Sequence, residues 1–280
     1  MSFLKYAAVY ALTPPEIKID FNVVLTGALA DIVSLLKELG YDGVEINISD
    51  PMLVDSNEVI KEVEEKALEI PVISTGLSYL RYGFSLSASD NEREKAIKIL
   101  HEHMKIAYKL KSNGIVIGLI RGKCPKKELY NICMKKLIDS LSQLNRHAEN
   151  LNLNIYIEPM NRSITNLINS VNEAIEIVEK LGSEKMKILF DTYHASLEEK
   201  NIYKAIEKAS KHIGYIHVAD DNRGIPGTGN LDWVRIMKKL RSVGYNGYLS
   251  LEAIMGNNIA LSLKKTVNFL KSIEKDASNR

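Results

Sequence analysis

Cysteine is nearly absent from the sequence, which has only Cys124 and Cys133 among its 280 residues. Two cysteines are too few for a thiolate metal site, and their spacing does not suggest a disulfide framework. We therefore expect a protein of a reducing compartment. Cys133 is predicted to be buried in a helix and Cys124 to lie near a loop.

Long hydrophobic runs are also missing. No apolar stretch approaches the run of about 18 to 20 residues that a membrane span needs. The first apolar stretch, residues 4–12, lacks a basic leader and a small-residue cleavage site and stops before Pro14. It predicts a strand rather than a signal peptide. We expect a cytoplasmic protein with no membrane partner.

Neither sign of charge dominates the chain. Its 37 basic and 35 acidic residues are dispersed and leave a net charge of +2. Proteins that bind nucleic acid usually carry a basic stripe, which is not present here, so nucleic acid is not an expected partner. Hydrophobic residues make up 45% of the chain, which is typical of a folded protein with a large core.

The chain repeats one unit, in which a short apolar run precedes an amphipathic stretch. The apolar runs predict strands at residues 4–12, 43–48, 71–77, 114–120, 154–160, 186–192, 213–219 and 247–254. Helices are predicted at residues 25–39, 56–69, 91–111, 126–151, 170–181, 199–211, 231–243 and 257–273. Ser170 and Glu173 form a capping-box pattern at the start of one of them. Eight such units without a linker predict an α/β fold, a single (β/α)8 barrel with residues 1–280 as one domain.

Side chains that can bind a metal stand near the ends of the last four predicted strands. They are Glu158, Asp191, His217 and Glu252. In a parallel barrel the C-terminal strand ends meet at one rim, so these side chains can share a pocket. A carboxylate that closes a buried strand needs a partner. Three carboxylates and one imidazole suit Mn²⁺, Mg²⁺ or Co²⁺, and Zn²⁺ stays open.

Each of these residues also has a purely structural interpretation. Asp191 could cap a turn, and His217 could be a hydrogen-bonded core histidine. The two glutamates could pair with Arg162 or Arg223. A single metal site accounts for all four residues together, because strands five to eight each supply one ligand at the same level of the barrel.

Several short segments form an ordered series along the chain. They are GVEINISDP (43–51), TGLSYLRYGFSLS (75–87), GLIRGK (118–123), IEPMNR (157–162), FDTYH (190–194), HVADDNR (217–223), PGTGNLDW (226–233) and SLEAI (250–254). The series resembles the sugar isomerase and epimerase superfamily with xylose-isomerase-like barrels. Within it, the likeness is greatest to ketose 3-epimerases of the tagatose, psicose and keto-sugar-acid type.

The resemblance implies a set of roles for the residues at the rim. The residues implied to bind one divalent metal, with Mn²⁺ expected first, are Glu158, Asp191, His217 and Glu252. His194 and Arg223 are implied to hold substrate oxygens, although Arg223 could instead pair with Asp220 or Asp221. Relatives of this type are commonly dimers or tetramers, so a homo-oligomer is expected.

The chemistry of epimerisation agrees with these roles. Inverting a carbon beside a ketone removes its proton and returns one to the opposite face, through a cis-enediolate that a Lewis-acidic metal stabilises. Glu158 and Glu252 are the candidate acid and base. We therefore predict a divalent-metal-dependent 3-epimerase that acts on a small-molecule ketose or keto-sugar acid.

Two further residues are candidates for substrate binding. Glu45 ends strand two and could contact the substrate or the metal ligands, or it could form an ion pair inside the barrel. Arg121, with Lys123, would place positive charge at the rim, which suits a carboxylated or phosphorylated sugar. The alternative for Arg121 and Lys123 is a basic loop that is exposed to solvent.

One position departs from the pattern of the ketose epimerases. Ile164 stands where they usually have a third glutamate, which helps to hold the substrate end nearest the metal. Isoleucine cannot accept a hydrogen bond from a hydroxyl group. We therefore expect a substrate that is shorter, or less hydroxylated at that end, than a free ketohexose.

Three other functions share parts of this pattern. An aldose–ketose or hydroxypyruvate-type isomerase would use the same enediolate and nearly the same residues. An endonuclease IV-like DNA repair enzyme would need more histidines at strand ends. The remaining histidines, which fall in helical stretches, are His101, His103, His147 and His212. A non-catalytic sugar- or metal-binding barrel would not need two glutamates beside His194 and Arg223.

Overall fold

The computed structural model of the protein describes residues 4–14, 17 and 21–278. Eight parallel strands pair in chain order and close into a barrel between the last strand and the first. The strands are β1 (Lys5–Leu12), β2 (Gly43–Ile48), β3 (Ile73–Ser74), β4 (Gly114–Ile117), β5 (Asn154–Ile157), β6 (Met186–Asp191), β7 (Ile213–Val218) and β8 (Tyr248–Leu251). The predicted (β/α)8 barrel is confirmed.

Helices surround the barrel and connect its strands. They are α1 (Leu29–Glu38), α2 (Ser56–Glu65), α3 (Gly76–Tyr82), α4 (Asp90–Lys109), α5 (Tyr130–Leu151), α6 (Val171–Leu181), α7 (Thr192–Glu198), α8 (Ile202–Ala209), α9 (Trp233–Ser242) and α10 (Ile259–Ser278). The capping box of Ser170 and Glu173 is confirmed at the start of α6, which ends at Gly182 in a left-handed conformation.

The short helices α3 and α7 were not predicted, because each begins where an apolar run had suggested that a strand continues. Asp191 ends β6, and its Oδ1 accepts hydrogen bonds from the backbone N–H groups of Tyr193 and His194. This N-cap starts α7 within the predicted strand end. At α3, the side chain of Asn47 in the neighbouring β2 accepts a hydrogen bond from the Leu77 N–H. This bond replaces the backbone hydrogen bond that a continued strand would make.

The inward-facing side chains of the barrel form an apolar floor. Its members are Ala7, Val72, Val116, Tyr156, Leu189, Tyr215 and Tyr248. The rings of Tyr156 and Tyr248 lie 5.9 and 6.3 Å from that of Tyr215, so the three aromatic rings are in contact. A second and larger core packs between strands and helices, with Tyr6, Ala8 and Tyr10 of β1 on that side. The alternation is the period of two that strands impose.

The two cysteines form a disulfide bond, which corrects the expectation that they would not pair. Cys124 lies in the loop after β4, and Cys133 is buried in the first turn of α5. The loop folds back onto the helix and brings their Cα atoms to 5.8 Å, within the range that a disulfide spans. Their low number and spacing did not reveal this contact. The cysteines therefore no longer support a reducing compartment.

The structure also bears on membrane insertion. Among the helices formed by the residues described, none combines the length and the apolar character needed to cross a bilayer.

The buried histidine of α4 makes stability depend on pH. His103 is fully buried, its Nε2 lies 2.7 Å from the Ser78 hydroxyl, and burial lowers its pKa from 6.5 to about 3. Unfolded chains therefore bind a proton at this residue between those two pH values, while folded chains do not. The contribution to stability is complete above pH 6.5 and is lost as the pH falls.

We expect His103→Gln to remove this dependence, because glutamine does not titrate. The free energy of unfolding in urea should fall by about 2 kcal/mol more for the wild type than for the variant between pH 7 and pH 5. Equal slopes for His103→Gln and the wild type would contradict the assignment.

Candidate metal centre

The four predicted metal-binding side chains meet at the C-terminal end of the barrel. Each offers one ligand atom, and these atoms all lie within 4.8 Å of one another. The four buried residues are Glu158, Asp191, His217 and Glu252. They come from β5, β6, β7 and β8 or the positions directly after them.

Strand periodicity explains why these four side chains meet. Tyr156, Leu189 and Tyr215 point into the barrel and form part of its floor. The residue two positions further along each strand points the same way, which places Glu158, Asp191 and His217 above that floor. Glu252 stands two residues after Ser250 and four residues after the floor residue Tyr248, so its side chain points into the barrel as well. A short apolar run that ends in a charge therefore delivers the charge to the rim.

The imidazole of His217 is oriented by a carboxylate behind it. Its Nε2 lies 3.0 and 3.1 Å from the two carboxylate oxygens of Glu45. Nδ1 is buried without a hydrogen-bond partner, 3.6 Å from Glu252 Oε2 and 3.9 Å from oxygens of Glu158 and Asp191. Because Nε2 donates to Glu45, the lone pair of Nδ1 is available toward the carboxylates. An unpaired nitrogen facing three carboxylates fits a divalent cation.

The electrostatics of His217 also show that the centre attracts positive charge. Burial alone would lower the pKa of this imidazole. The carboxylates of Glu45 and Glu252 outweigh burial and raise the pKa well above its usual value. A cation among the carboxylates would replace the positive charge that the proton otherwise supplies.

Glu45 lies behind His217 rather than in the cavity. Its carboxylate is fully buried and accepts hydrogen bonds from the Ser250 hydroxyl, at 2.7 Å, and from the Ser74 hydroxyl, besides the contact with His217. The structure therefore corrects its predicted contact with substrate and instead supports the alternative contact with a metal ligand. This carboxylate fixes the ring of His217 and increases the basicity of its other nitrogen.

The three carboxylates differ in their surroundings. Burial would raise the pKa of Asp191, but Arg223, whose Nη1 donates to Oδ2 at 2.7 Å, holds it well below its usual range. Burial likewise opposes ionisation of Glu252, yet His217 and Arg223 lower its pKa. At Glu158, burial, with Glu252 nearby, outweighs the opposing effect of His217 and raises the pKa to about 8.

A glycine makes room for Glu158. A Cβ atom at Gly118, after β4, would come within 2.5 Å of Glu158 Oε2, so a side chain at this position would displace the carboxylate. The segment GLIRGK had pointed to this region through its charges. The functional need for Gly118 was missed, because the contact joins strands that are separate in sequence.

Arg121 does not face the cavity, which corrects its predicted contact with substrate. Its side chain is fully buried, and the guanidinium donates to the backbone carbonyls of Gly118, Leu167, Ile168 and Glu158. These bonds fix the backbone that carries Glu158. The neighbouring Lys123 is exposed to solvent and does not line the cavity.

His194 is held in one tautomer by a residue that sequence reasoning did not single out. The Asn161 Oδ1 accepts from the Ser163 N–H at 3.0 Å, so its Nδ2 is the side that donates to His194 Nδ1, at 2.9 Å. The proton of the neutral ring is thereby placed on Nε2, which lies 3.8 Å from Glu158 Oε1. Asn161 stands in the IEPMNR segment, which was the one available signal.

Arg223 links two of the carboxylates. Besides its bond to Asp191 it donates through Nη2 to Glu252 Oε2, and it lies 4.7 Å above the ring of Tyr193. The alternative pairing with Asp220 does not occur, because the carboxylate of Asp220 accepts from Trp233 Nε1 and from backbone N–H groups of its loop. The alternative pairing of Glu158 with Arg162 is replaced by an ion pair between Arg162 and Glu198.

These residues line a cavity of about 220 Å³. Glu158, His194, His217, Arg223 and Glu252 form one side of it. The remaining wall is largely apolar. Its apolar side chains are those of Phe21, Val23, Val116, Leu119, Met160 and Ile164. The cavity is also lined by Asn47, Ser74, Thr75, Gly76, Gly118 and Tyr193.

The remaining histidines stay apart from this centre. His101 of α4 and His147 of α5 contact each other with tilted rings, whose centroids lie 4.3 Å apart. His103 is buried in α4, and His212 lies just before β7. Within the part of the chain that the structure describes, the four residues of the centre are the one group of three or more His, Cys, Asp and Glu side chains that could hold a metal ion. The extra histidines expected of an endonuclease IV-like site are therefore not gathered here.

The role of Glu45 can be tested through metal affinity. We expect Glu45→Gln to weaken Mn²⁺ binding about 10- to 100-fold, because an amide does not hold the His217 ring with the same charge. Isothermal titration calorimetry measures the affinity, and thermal unfolding without metal shows whether the variant is folded. Ser74→Ala, which removes a single hydrogen bond to Glu45, should have a smaller effect. Unchanged affinity in folded Glu45→Gln would contradict the assignment.

The tautomer of His194 can be tested by nitrogen NMR on protein labelled at histidine. In the wild type we expect a protonated Nε2 and an unprotonated Nδ1, because Asn161 donates to Nδ1. In Asn161→Leu the proton should no longer be confined to Nε2, while the signals of His212 stay unchanged. A wild-type spectrum with the proton on Nδ1 would disprove the proposed hydrogen bond.

Comparison with known proteins finds relatives along most of the chain. The sequence profile of the family described as "Xylose isomerase-like TIM barrel" matches residues 33–273. The D-psicose 3-epimerase of Ruminiclostridium cellulolyticum is 26% identical over 268 residues, which are 93% of this chain and 88% of the relative. The 3-dehydro-D-guloside 4-epimerase of Escherichia coli is 27% identical over 225 residues, 78% of this chain and 84% of the relative.

A solved structure shows the same fold. The D-allulose 3-epimerase of a Methylomonas species, in complex with D-allulose, superposes with a TM-score of 0.83 at 21% identity, covering 97% of this chain and 98% of that one. The relatives named here are epimerases, which are isomerases that act on sugars, and the predicted resemblance is confirmed. The profile match over most of the sequence shows that the chain belongs to the xylose isomerase-like TIM barrel family.

Proposed function

We propose that the protein is a divalent-metal-dependent sugar epimerase that inverts a carbon next to the carbonyl group of a ketose, with carbon 3 as the first candidate. The observation that carries the proposal is the unpaired Nδ1 of His217, buried among three carboxylates in the wall of the cavity. Relatives that match most of the chain and are named as epimerases support the same reaction class.

The cofactor follows from the donor set. Glu158, Asp191, His217 and Glu252 would hold one divalent ion, and Mn²⁺ is the first candidate among the metals that oxygen and imidazole ligands suit. When bound, such an ion supplies Lewis-acid polarisation of the carbonyl and the adjacent hydroxyl group, which makes the neighbouring C–H bond acidic.

Proton transfer is assigned to the two glutamates. Glu158 follows β5 and Glu252 follows β8, so they approach the cavity from different strands. Oε2 of Glu158 lies in the space that Gly118 leaves free and can take or return a proton. Arg223 holds Oε2 of Glu252, and Oε1 of this residue is left to exchange a proton on the opposite face of the substrate.

Two neighbours orient the substrate in this scheme. His194 presents a protonated Nε2 toward Glu158, where it can donate to a substrate oxygen that gains negative charge. Arg223 fixes Asp191 and Glu252 and lines the cavity beside them. The apolar wall on the other side limits the access of water to the reacting carbon.

Some properties stay predictions. They are the homo-oligomeric state, the cytoplasmic location, the organisation of residues 1–280 as one domain and the lack of a nucleic-acid partner. The disulfide argues neither for nor against the proposed reaction, since neither cysteine lines the cavity.

The reaction can be tested by proton NMR in D₂O, with Mn²⁺-loaded protein and a panel of ketoses. We expect deuterium at carbon 3 together with a new epimer. Glu158→Gln and Glu252→Gln, compared at saturating metal with bound Mn²⁺ quantified, should each slow this exchange by at least about 10²-fold. Glu179→Gln on α6, an exposed glutamate outside the cavity, is the matched control and should keep full activity.

Other outcomes have definite meanings. Deuterium at carbon 1 or 2 with formation of an aldose would reassign the protein as an aldose–ketose isomerase. Full activity of both glutamate variants would rule out the proposed acid–base pair.

A further inference from the structure

We infer that the substrate is an uncharged ketose in which one end of the carbon chain is a methyl group rather than a hydroxymethyl group. The inference rests on the proposed function and names the substrate class of the same site. It follows from the contrast between the two sides of the cavity, one ionic and one apolar.

The first step concerns charge. Among the described residues that line the cavity, Arg223 is the one with a permanent positive charge, and its Nη atoms are bonded to Asp191 and Glu252. Arg121 donates to backbone carbonyls beneath the cavity wall, and Lys123 is directed to solvent. The charge of Arg223 is balanced by these two carboxylates, so this lining has no unbalanced positive charge for a substrate carboxylate or phosphate, and the site suits an uncharged sugar.

The second step concerns the wall opposite the metal centre. Phe21, Val23, Leu119, Met160 and Ile164 present hydrocarbon or thioether groups to the cavity. None of these side chains can donate a hydrogen bond to a hydroxyl group, and only the weakly accepting sulfur of Met160 can receive one. A hydroxyl group placed here would lose its hydrogen bonds to water without replacement, which opposes binding.

The third step concerns the hydroxyl-bearing side chains beside that wall. The Thr75 hydroxyl donates to the carbonyl of Val116 at 2.7 Å, and the Ser74 hydroxyl donates to Glu45. Both protons are therefore used within the barrel and do not point at a ligand. Asn47 and Tyr193 also line the cavity; Asn47 Oδ1 accepts from the Leu77 N–H, and the Tyr193 ring lies beneath Arg223. The apolar surface that meets the far end of the substrate is the wall that contains Phe21, Met160 and Ile164.

The size of the cavity limits the substrate further. A volume of about 220 Å³ is below the roughly 300–1,000 Å³ typical of pockets for larger ligands. A monosaccharide fits this space, whereas a glycoside would extend out through the mouth. Ile164 is 38% exposed, so it stands at the edge of the cavity, where it contacts one end of a short chain.

Kinetics with matched sugars test the inference. Each ketohexose of the panel is compared with its 1-deoxy and 6-deoxy counterparts of the same configuration, with a ketopentose and with a keto-sugar acid. We expect kcat/KM to be at least about 10-fold higher for one deoxy sugar than for its parent, as a hydrophobic pocket commonly achieves. The deoxy position that gives the preference identifies the end of the chain that meets Ile164.

A variant series isolates the wall. Ile164→Glu should lower kcat/KM for the preferred deoxy sugar and reduce its advantage over the parent ketohexose at least about 10-fold, because the carboxylate accepts hydroxyl hydrogen bonds. Ile164→Val should retain the wild-type preference. Ile132→Glu, the same substitution at an exposed residue of α5, is the matched control and should change neither rate nor preference.

Several results would overturn the inference while leaving the proposed function intact. They are equal or higher kcat/KM for the parent ketohexose, preference for the keto-sugar acid, or preference for the ketopentose. Failure to turn over any sugar would count against the proposed function instead. In that case calorimetric binding of the same deoxy and parent sugars to the Mn²⁺-loaded protein still decides the inference, since the affinity ratio should follow the same order.

Discussion

Three carboxylates buried around one imidazole require positive charge among them, and this requirement organises the upper half of the barrel. Arg223 supplies part of it by contacting Asp191 and Glu252. The remaining positive charge has to lie next to Nδ1 of His217, which has no hydrogen-bond partner. Glu45 adds a fourth carboxylate directly behind the imidazole, which increases the need for positive charge at this centre. The same balance of charge makes the arrangement costly without a cation and suited to holding one.

Much of this arrangement could be predicted from the sequence, because strand geometry is local. A charge two residues beyond an inward-facing apolar residue points into the barrel, whatever the rest of the chain does. Glu158, Asp191 and His217 follow that rule, and a parallel barrel then brings them together. The start of α6 was predictable for a similar reason, since a capping box is complete within four residues.

The features that were missed depend on contacts between distant segments. Arg121 looked like a charge at the rim, but carbonyl groups more than 35 residues further along the chain enclose it. The pairing of Cys124 with Cys133 depends on how a loop folds back onto a helix. The donor role of Asn161 depends on the position of His194 in the next βα unit. Periodicity and residue type contain no information about these contacts, because each one is set by tertiary packing.

The segment that carries Ile164 is held by hydrogen bonds that do not involve the Ile164 side chain. Thr165 bonds to the carbonyl of Gly122, Asn166 exchanges two hydrogen bonds with Cys124, and Asn169 donates to two carbonyls of its own loop. The backbone is thus fixed by its neighbours while one side chain at its edge is left to vary. A change of this side chain would therefore leave the hydrogen bonds of the loop in place, so the edge of the cavity can vary within a lineage without loss of the loop structure.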